Sequence, residues 1–243
     1  MTLEILSKEE LALLRKFDTP TVCNVVELCD LRPWTAGYMD RRIAACYPKL
    51  PPMVGYASTA TFRAGAPPRG GNVYGGMSAQ LEDFRKLPGP PVVVFQDLDD
   101  PSTAATFGEI MCTTYKTFGA VGLITSGTGR DLDQVATLNF PVFTGGTVCA
   151  HGYCQILDVG VTVHIGGVTI HPGDIIHADL NGVTTIPHGI AAKVARACQE
   201  FMDAEAVILD YLKKPNPTVE RFNQARDESK KLIQALAKKL KGE

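Results

Sequence analysis

The stretch "PPVVVFQDL" (90–98) constrains the fold more than any other part of the chain. A strand with one wet face alternates apolar and polar residues. A continuous β-branched run belongs instead to a strand buried on both faces. It is followed by "FGEIMCTTYKTFGA" (107–120), whose apolar residues recur at helical spacing and which ends at Gly119, a natural C-terminal stop. "AVGLIT" (120–125) is the next buried strand. Strand, helix and strand joined by short connections make a right-handed βαβ unit and imply parallel pairing.

The flanking segments extend this core. "SKEELALLRKFDT" predicts a helix with Ser7 as N-cap and Glu10 closing a capping box, stopped by Pro20. "TPTVCNVVELCDLR" predicts a second short helix opened by Thr19 or Thr21, and residues 33–53 read as irregular. "MVGYASTATFRA" (53–64) alternates as a strand does, and "SAQLEDFRKL" predicts a short helix. "DLDQVATLNF" predicts another helix and "PVFTGGT" a short strand. From residue 156 short β-rich pieces broken at "GG", "PGD" and "NG" predict an antiparallel meander with tight turns. Residues 189–212 are helical, with Ala191, Val194, Ala195, Cys198, Met202 and Ala206 on one face. Residues 218–243 predict a charged amphipathic helix suited to packing on another subunit. The expectation is one α/β domain over 1–212 and a C-terminal helical extension over 213–243.

Composition narrows the partners. With 24 basic and 26 acidic residues among 243, the net charge is −2, so no basic excess points to nucleic acid. Seven cysteines at irregular spacing, with no CxxC pair, suit reduced thiols and a cytoplasmic setting. The charged N-terminus does not read as a signal peptide. No apolar run reaches the roughly eighteen residues of a membrane span.

Chemistry points to "GEIM" (108–111) and "SGTGRD" (126–131). In an open parallel sheet both loops lie at the carboxyl ends of their strands, where ligands sit. The first amides of the helix, near Glu109, Ile110 and Met111, lack intrahelical acceptors and form a cradle for a carboxylate or phosphate. Glu109 and Asp131 offer two carboxylates of the kind Mg²⁺ or Mn²⁺ bind while keeping several waters. Arg130 suits a carbonyl oxygen on which negative charge grows. The competing structural readings are a plain Arg–Asp ion pair and a Glu109 placed by the helix dipole.

Glu109, twenty residues, then Arg130-Asp131 resembles the acidic-X20-Arg-Asp signature of the class II 4-hydroxy-4-methyl-2-oxoglutarate/4-carboxy-4-hydroxy-2-oxoadipate aldolases of the RraA-like family. The likeness extends through "TPTVCNVVE", "VGYASTATFRA", "FGEIMCTTYKTFGAVGLITSGTGRDLDQV" and "GGVTIHPGDIIHADLNGVTTIP", together about residues 19–206. It implies a swivelling β/β/α sandwich with a central mixed sheet, assembled as a homotrimer or homohexamer. It also implies roles: Asp131 as direct metal ligand, Glu109 through water, and Arg130 on the oxygen that becomes the pyruvate enolate. Gly108 and the amides of Ile110 and Met111 would bind the substrate carboxylate. A neighbouring subunit would add an acidic residue, Glu205 or, as the alternative, Glu200. The activity implied is a metal-dependent lyase that releases pyruvate from a 4-hydroxy-2-oxo acid, with oxaloacetate decarboxylation through the same enolate. The competing functions are a ribonuclease-regulator-like protein acting by binding, and a lyase or decarboxylase on another 2-oxo acid. The regulator branch typically lacks the aspartate after the arginine, which this chain keeps. Asn24 and Ser126 stand where relatives often carry acidic residues, and residues 65–76 and those beyond 212 match no family pattern.

Other residues read more plainly. "CAHGYC" (149–154) predicts a turn with buried thiols around His151 rather than a zinc site, with His151 as a polar group lining the pocket the alternative. His164, His171, His177 and His188 read as satisfied or solvent-facing imidazoles separated by strand register. "HPGD" (171–174) and "NGV" (181–183) are turns. "GGNVYGG" (70–76) lacks the GK[ST] of a phosphate loop and suits a lid or subunit contact. Trp34 is assigned to packing, in the core or at an interface.

Overall fold

The computed structural model describes residues 5–70, 73 and 75–242. The chain opens with α1 (Lys8–Leu14) and α2 (Thr19–Leu28). Ser7 and Glu10 form the reciprocal capping box, each side chain accepting from the other's amide. Pro20 does not stop α1, which ends at Leu14; it lies in the first turn of α2, where a missing amide costs no hydrogen bond. The cap of α2 is Asp18, which accepts from the Thr21 amide at 2.9 Å, rather than Thr19 or Thr21.

The remaining elements, in chain order, are β1 (Ala44–Ala45), β2 (Met53–Arg63), α3 (Met77–Phe84), β3 (Pro91–Asp97), β4 (Ala105–Phe107), α4 (Glu109–Thr117), β5 (Gly122–Thr125) and β6 (Thr128–Gly129). They continue with α5 (Leu132–Thr137), β7 (Val142–Thr144), β8 (Gly146–Thr147), β9 (Gln155–Val159), β10 (Val163–Ile165), β11 (Val168–Ile170), β12 (Ile175–Asp179) and β13 (Gly182–Ile186). The chain then forms α6 (Ala191–Leu212) and α7 (Val219–Lys241). One mixed sheet runs β1-β7-β5-β3-β2-β12-β13, and β9 also pairs with β2. β2, β3, β5 and β7 are parallel, with Ala57 opposite Val92 and Val93 opposite Leu123. β12 and β9 pair antiparallel with the two ends of the same edge of β2. The "PGD" and "NG" breaks are turns: Asp174 accepts from the His171 amide at 2.8 Å, and Gly182 starts the return strand of the β12–β13 hairpin.

The buried run is central, as its composition requires: Val92, Val93, Val94 and Phe95 are fully buried. β2 departs from the half-buried alternation, since every residue from Met53 to Ala60 is buried. The cause is cover on both faces. On one, Val54 and Tyr56 pack with α1, α2, α6 and α7, while Ala60 and Phe62 pack with α3, α4 and α5. On the other, Met53 and Ala57 meet Ile43 and the β10–β11 hairpin.

Further expectations change. β4, β6 and β8 form a second, three-stranded parallel sheet: the sequence reads β6 as loop, β4 as loop running into a helix, and β8 as the end of the "PVFTGGT" strand rather than a separate one. Met202 is 43% exposed, and Phe201 and Ala204 turn inward instead. α7 packs on α6 of its own chain, burying Leu236 and Leu240 in the core beneath both. Trp34 is 67% exposed and so lies outside the core. No helix among the described residues is long and apolar enough to cross a membrane.

Candidate active site

The small β4–β6–β8 sheet positions the site. β4 ends at Phe107, Gly108 caps α4, and β6 delivers Arg130 and Asp131 alongside. The Arg130 amide donates to the Phe107 carbonyl at 3.2 Å, which ties the two loops together. Gly129 lies against the Phe107 ring, where any side chain would collide. At Gly108 a Cβ would lie 2.6 Å from Asp131 Oδ2, so a side chain there would push the carboxylate aside.

Asp131 occupies the left-handed region (φ 55°), a conformation that costs most residues energy and that Asp tolerates. It precedes α5 but makes no capping bond to it. Its Oδ2 instead accepts from the Glu109 amide at 3.1 Å and lies 3.7 Å from Arg130 Nε. The carboxylate therefore points across to α4 rather than along its own helix. The Cys112 amide closes the first turn of α4 on the Gly108 carbonyl, so the Ile110 and Met111 amides precede the intrahelical ladder. Helix-end amides, a guanidinium and two carboxylates thus converge on one cleft of about 440 Å³.

The cleft holds every residue the sequence singles out within one chain: Gly108, Glu109, Ile110, Met111, Arg130 and Asp131. It excludes Glu205, which lies on α6, in the helical layer over the other half of the sheet. Burial, with a smaller effect of the Asp18 charge, pushes the Glu205 carboxyl upward. Glu200 is held by Lys239 of α7 at 2.6 Å.

Of the other wall the sequence offers only His151, as an alternative. Met77, Ala105, Phe107, His151 and Cys154 also line the cleft. Only part of the "CAHGYC" turn buries its thiols: Cys154 is buried and Cys149 is exposed. Cys154 Sγ donates to the His151 carbonyl at 2.7 Å, and Ala105 donates from its amide to the Ala150 carbonyl at 2.8 Å, fixing this turn beside β4. Burial pushes the Cys154 thiol up, with the Arg130 charge opposing it more weakly. The "GGNVYGG" lid reading falls partly on residues 71, 72 and 74, outside the described residues.

Donor chemistry bears on which ion the cleft could hold. Asp131 and Glu109 present hard carboxylate oxygens, and among the described residues no cluster of three or more His, Cys, Asp or Glu could hold a metal. Two carboxylates are the donor type that Mg²⁺ or Mn²⁺ would take, with water completing the shell. The meander histidines are engaged elsewhere: His177 with Thr19 Oγ1 and the Leu14 carbonyl, His171 with Thr162 Oγ1, and His188 with the Gly173 carbonyl.

A fold of this topology with an Arg-Asp pair facing a helix N-terminus defines a class, and comparison gives its name. The family model RraA-like (Aldolase/RraA) matches residues 19–185, and the chain belongs to that family. It is similar to a Halalkalibacterium halodurans protein named "Putative 4-hydroxy-4-methyl-2-oxoglutarate aldolase", 38% identical over 51% of this chain and 59% of that protein. A Photobacterium profundum protein of the same name is 31% identical over 42% of this chain and 64% of that protein. The chain thus spans about six-tenths of the length of these two relatives. Among solved structures, an uncharacterised Pseudomonas syringae protein superposes with TM-score 0.73 at 22% identity, covering 93% of this chain and 97% of that one. Streptomyces coelicolor RraAS2, described as an unusual member of the RNase ES inhibitor RraA family, gives 0.66 at 23% identity, over 84% and 98%. At those identities the structures speak for the fold alone.

Proposed function

We propose that this protein is a divalent-metal-dependent carbon–carbon lyase that releases pyruvate from a 4-hydroxy-2-oxo acid. The observation that carries the reading is the convergence of Arg130, Asp131 and the α4 N-terminus on one cleft. Mg²⁺ or Mn²⁺ held at Asp131 would act as a Lewis acid toward the 2-oxo group. The Ile110 and Met111 amides bind the substrate's 1-carboxylate, aided by the helix dipole. Arg130 hydrogen-bonds the 2-oxo oxygen, and that bond strengthens as charge grows there. Glu109, beside the same opening, orients water.

In cleavage the 4-hydroxyl gives up its proton to a base and the C3–C4 bond breaks. Its electron pair moves through C2 to the oxygen facing Arg130, giving an aldehyde or ketone and pyruvate enolate. Protonation at C3 completes pyruvate. Oxaloacetate decarboxylation passes through the same enolate, so one cleft serves both. The active unit is a homotrimer or homohexamer in which α6 of a neighbour brings Glu205 to the cleft.

Purified protein given 4-hydroxy-4-methyl-2-oxoglutarate and, separately, oxaloacetate tests this, with pyruvate followed by a coupled assay. Pyruvate that requires Mg²⁺ or Mn²⁺ and disappears with chelator is expected. No pyruvate from either acid, with the fold intact, sinks the aldolase and decarboxylase assignment.

A further inference from the structure

Away from the Arg130–Asp131 cleft, a second cavity has walls and charge that no role above uses. It lies at the amino edge of the main sheet, where Met53 begins β2 and Val121 and Pro141 lead into β5 and β7. The helices α1, α2, α6 and α7 cover one half of a sheet face, and α3, α4 and α5 cover the other. Between the end of α1 and the end of α4 they leave about 470 Å³, a size that holds a small organic molecule. No lining residue is shared with the cleft or with α6, the two surfaces that the proposed oligomer uses. We propose that this cavity binds a small monocarboxylic acid with an apolar alkyl or aryl body. The proposal does not depend on the lyase reading.

The first observation is the lining. Leu50, Met53, Val121, Phe140 and Pro141 present an apolar surface, and Met53 and Phe140 are buried to form its floor. A hydrocarbon group seated there takes that surface out of water.

The second observation is charge. Arg15 and Lys116 are the ionisable side chains among the described lining residues, and no carboxylate accompanies them. Arg15 donates to the Val54 carbonyl over a long 3.4 Å, and Lys116 donates to the Leu138 carbonyl. Among the described residues neither forms an ion pair. Two cations with donors to spare therefore border an apolar surface without a counter-charge. A carboxylate supplies that charge, and its hydrocarbon body covers the floor. A phosphate fits less well. Helix N-termini hold phosphates, whereas α4 turns its carboxyl end to this cavity, and that dipole opposes a dianion more than a monoanion.

Calorimetric titration with butanoate, hexanoate and octanoate tests this, with hexanol and inorganic phosphate as the separate halves of such a ligand. Affinity should rise about fourfold per added methylene. Hexanol should bind at least about tenfold more weakly than hexanoate, and phosphate should not displace octanoate. Lys116→Gln and Arg15→Gln, both at exposed positions, should each weaken octanoate by about tenfold. NMR of protein labelled at the methionine methyls places the ligand: octanoate should shift Met53, in this cavity, and leave Met77 and Met111, in the cleft, unmoved. No binding, affinity indifferent to chain length or to both substitutions, displacement by phosphate, or shifts at Met77 and Met111 instead of Met53 would each overturn the proposal.

Discussion

Two polar regions of this molecule are built from similar residues and end differently. Beneath α1 and α2, His177 is fully buried, with Nδ1 paired to Thr19 Oγ1 and Nε2 to the Leu14 carbonyl. Nearby Asp179 accepts from the Thr19 and Asn181 amides. Donors and acceptors there are matched within the chain, and the cluster ties the N-terminal helices to β12. At the α4 end, Asp131 accepts from one helix amide, while Arg130 and Asp131 stay about one-third exposed beside a cleft. A buried polar cluster with its partners in place specifies structure. A preorganised set opening on a cleft keeps its hydrogen-bonding capacity for a ligand.

The sharpest way to break that distinction is to remove charge from the open region. Asp131→Asn keeps a side chain that tolerates φ 55° and removes the anion. Turnover should fall to background while Tm changes by only a few degrees; full activity would refute the role given to Asp131. Arg130→Ala should lower kcat by about 10²- to 10³-fold, the loss typical of one oxyanion donor, with a smaller change in metal affinity. An unchanged kcat contradicts its place on the enolate oxygen. Gly108→Ala puts a Cβ 2.6 Å from Asp131 Oδ2 and must displace the carboxylate. Steady-state kinetics should show kcat lowered by about 10²-fold, the penalty of a misplacement near 1 Å.

The closed region answers to pH instead. Desolvation holds the His177 pKa below its ordinary value of 6.5, against the opposing charges of Asp179 and Asp18. The unfolded chain therefore takes up the proton first as pH falls below about 6.5, and stability is lost from there down to the folded-state pKa. Thermal melts between pH 7 and pH 5 should show a steeper acid loss in the wild type than in His177→Gln. Parallel curves would remove His177 from the account.

How much of this was legible depended on periodicity. The unbroken run 92–95 announced a strand buried on both faces, and Ser7 with Glu10 announced a helix start. β4 and β6 were not legible, and β8 was legible only as the tail of one strand with β7, because strands of two or three residues carry no period. That missing sheet brings Phe107 beside Arg130, so half the cleft wall was hidden with it. Cys154 reaches the cleft through a turn whose sequence shows only that it is a turn, and His151 was open as a lining group only as the lesser reading. α7 was legible as amphipathic, but an apolar stripe does not say which surface it meets, and here it meets α6. Met202 failed for a smaller reason: one turn past Cys198 the buried face of α6 has drifted toward Phe201 and Ala204, away from Met202.

The most direct test of the central claim is pyruvate methyl-proton exchange in D₂O, followed by NMR with Mg²⁺ or Mn²⁺, with chelator, and in Asp131→Asn. The account predicts exchange that needs the metal and is lost in the variant. Exchange absent from the wild type, or indifferent to both chelator and substitution, would contradict it.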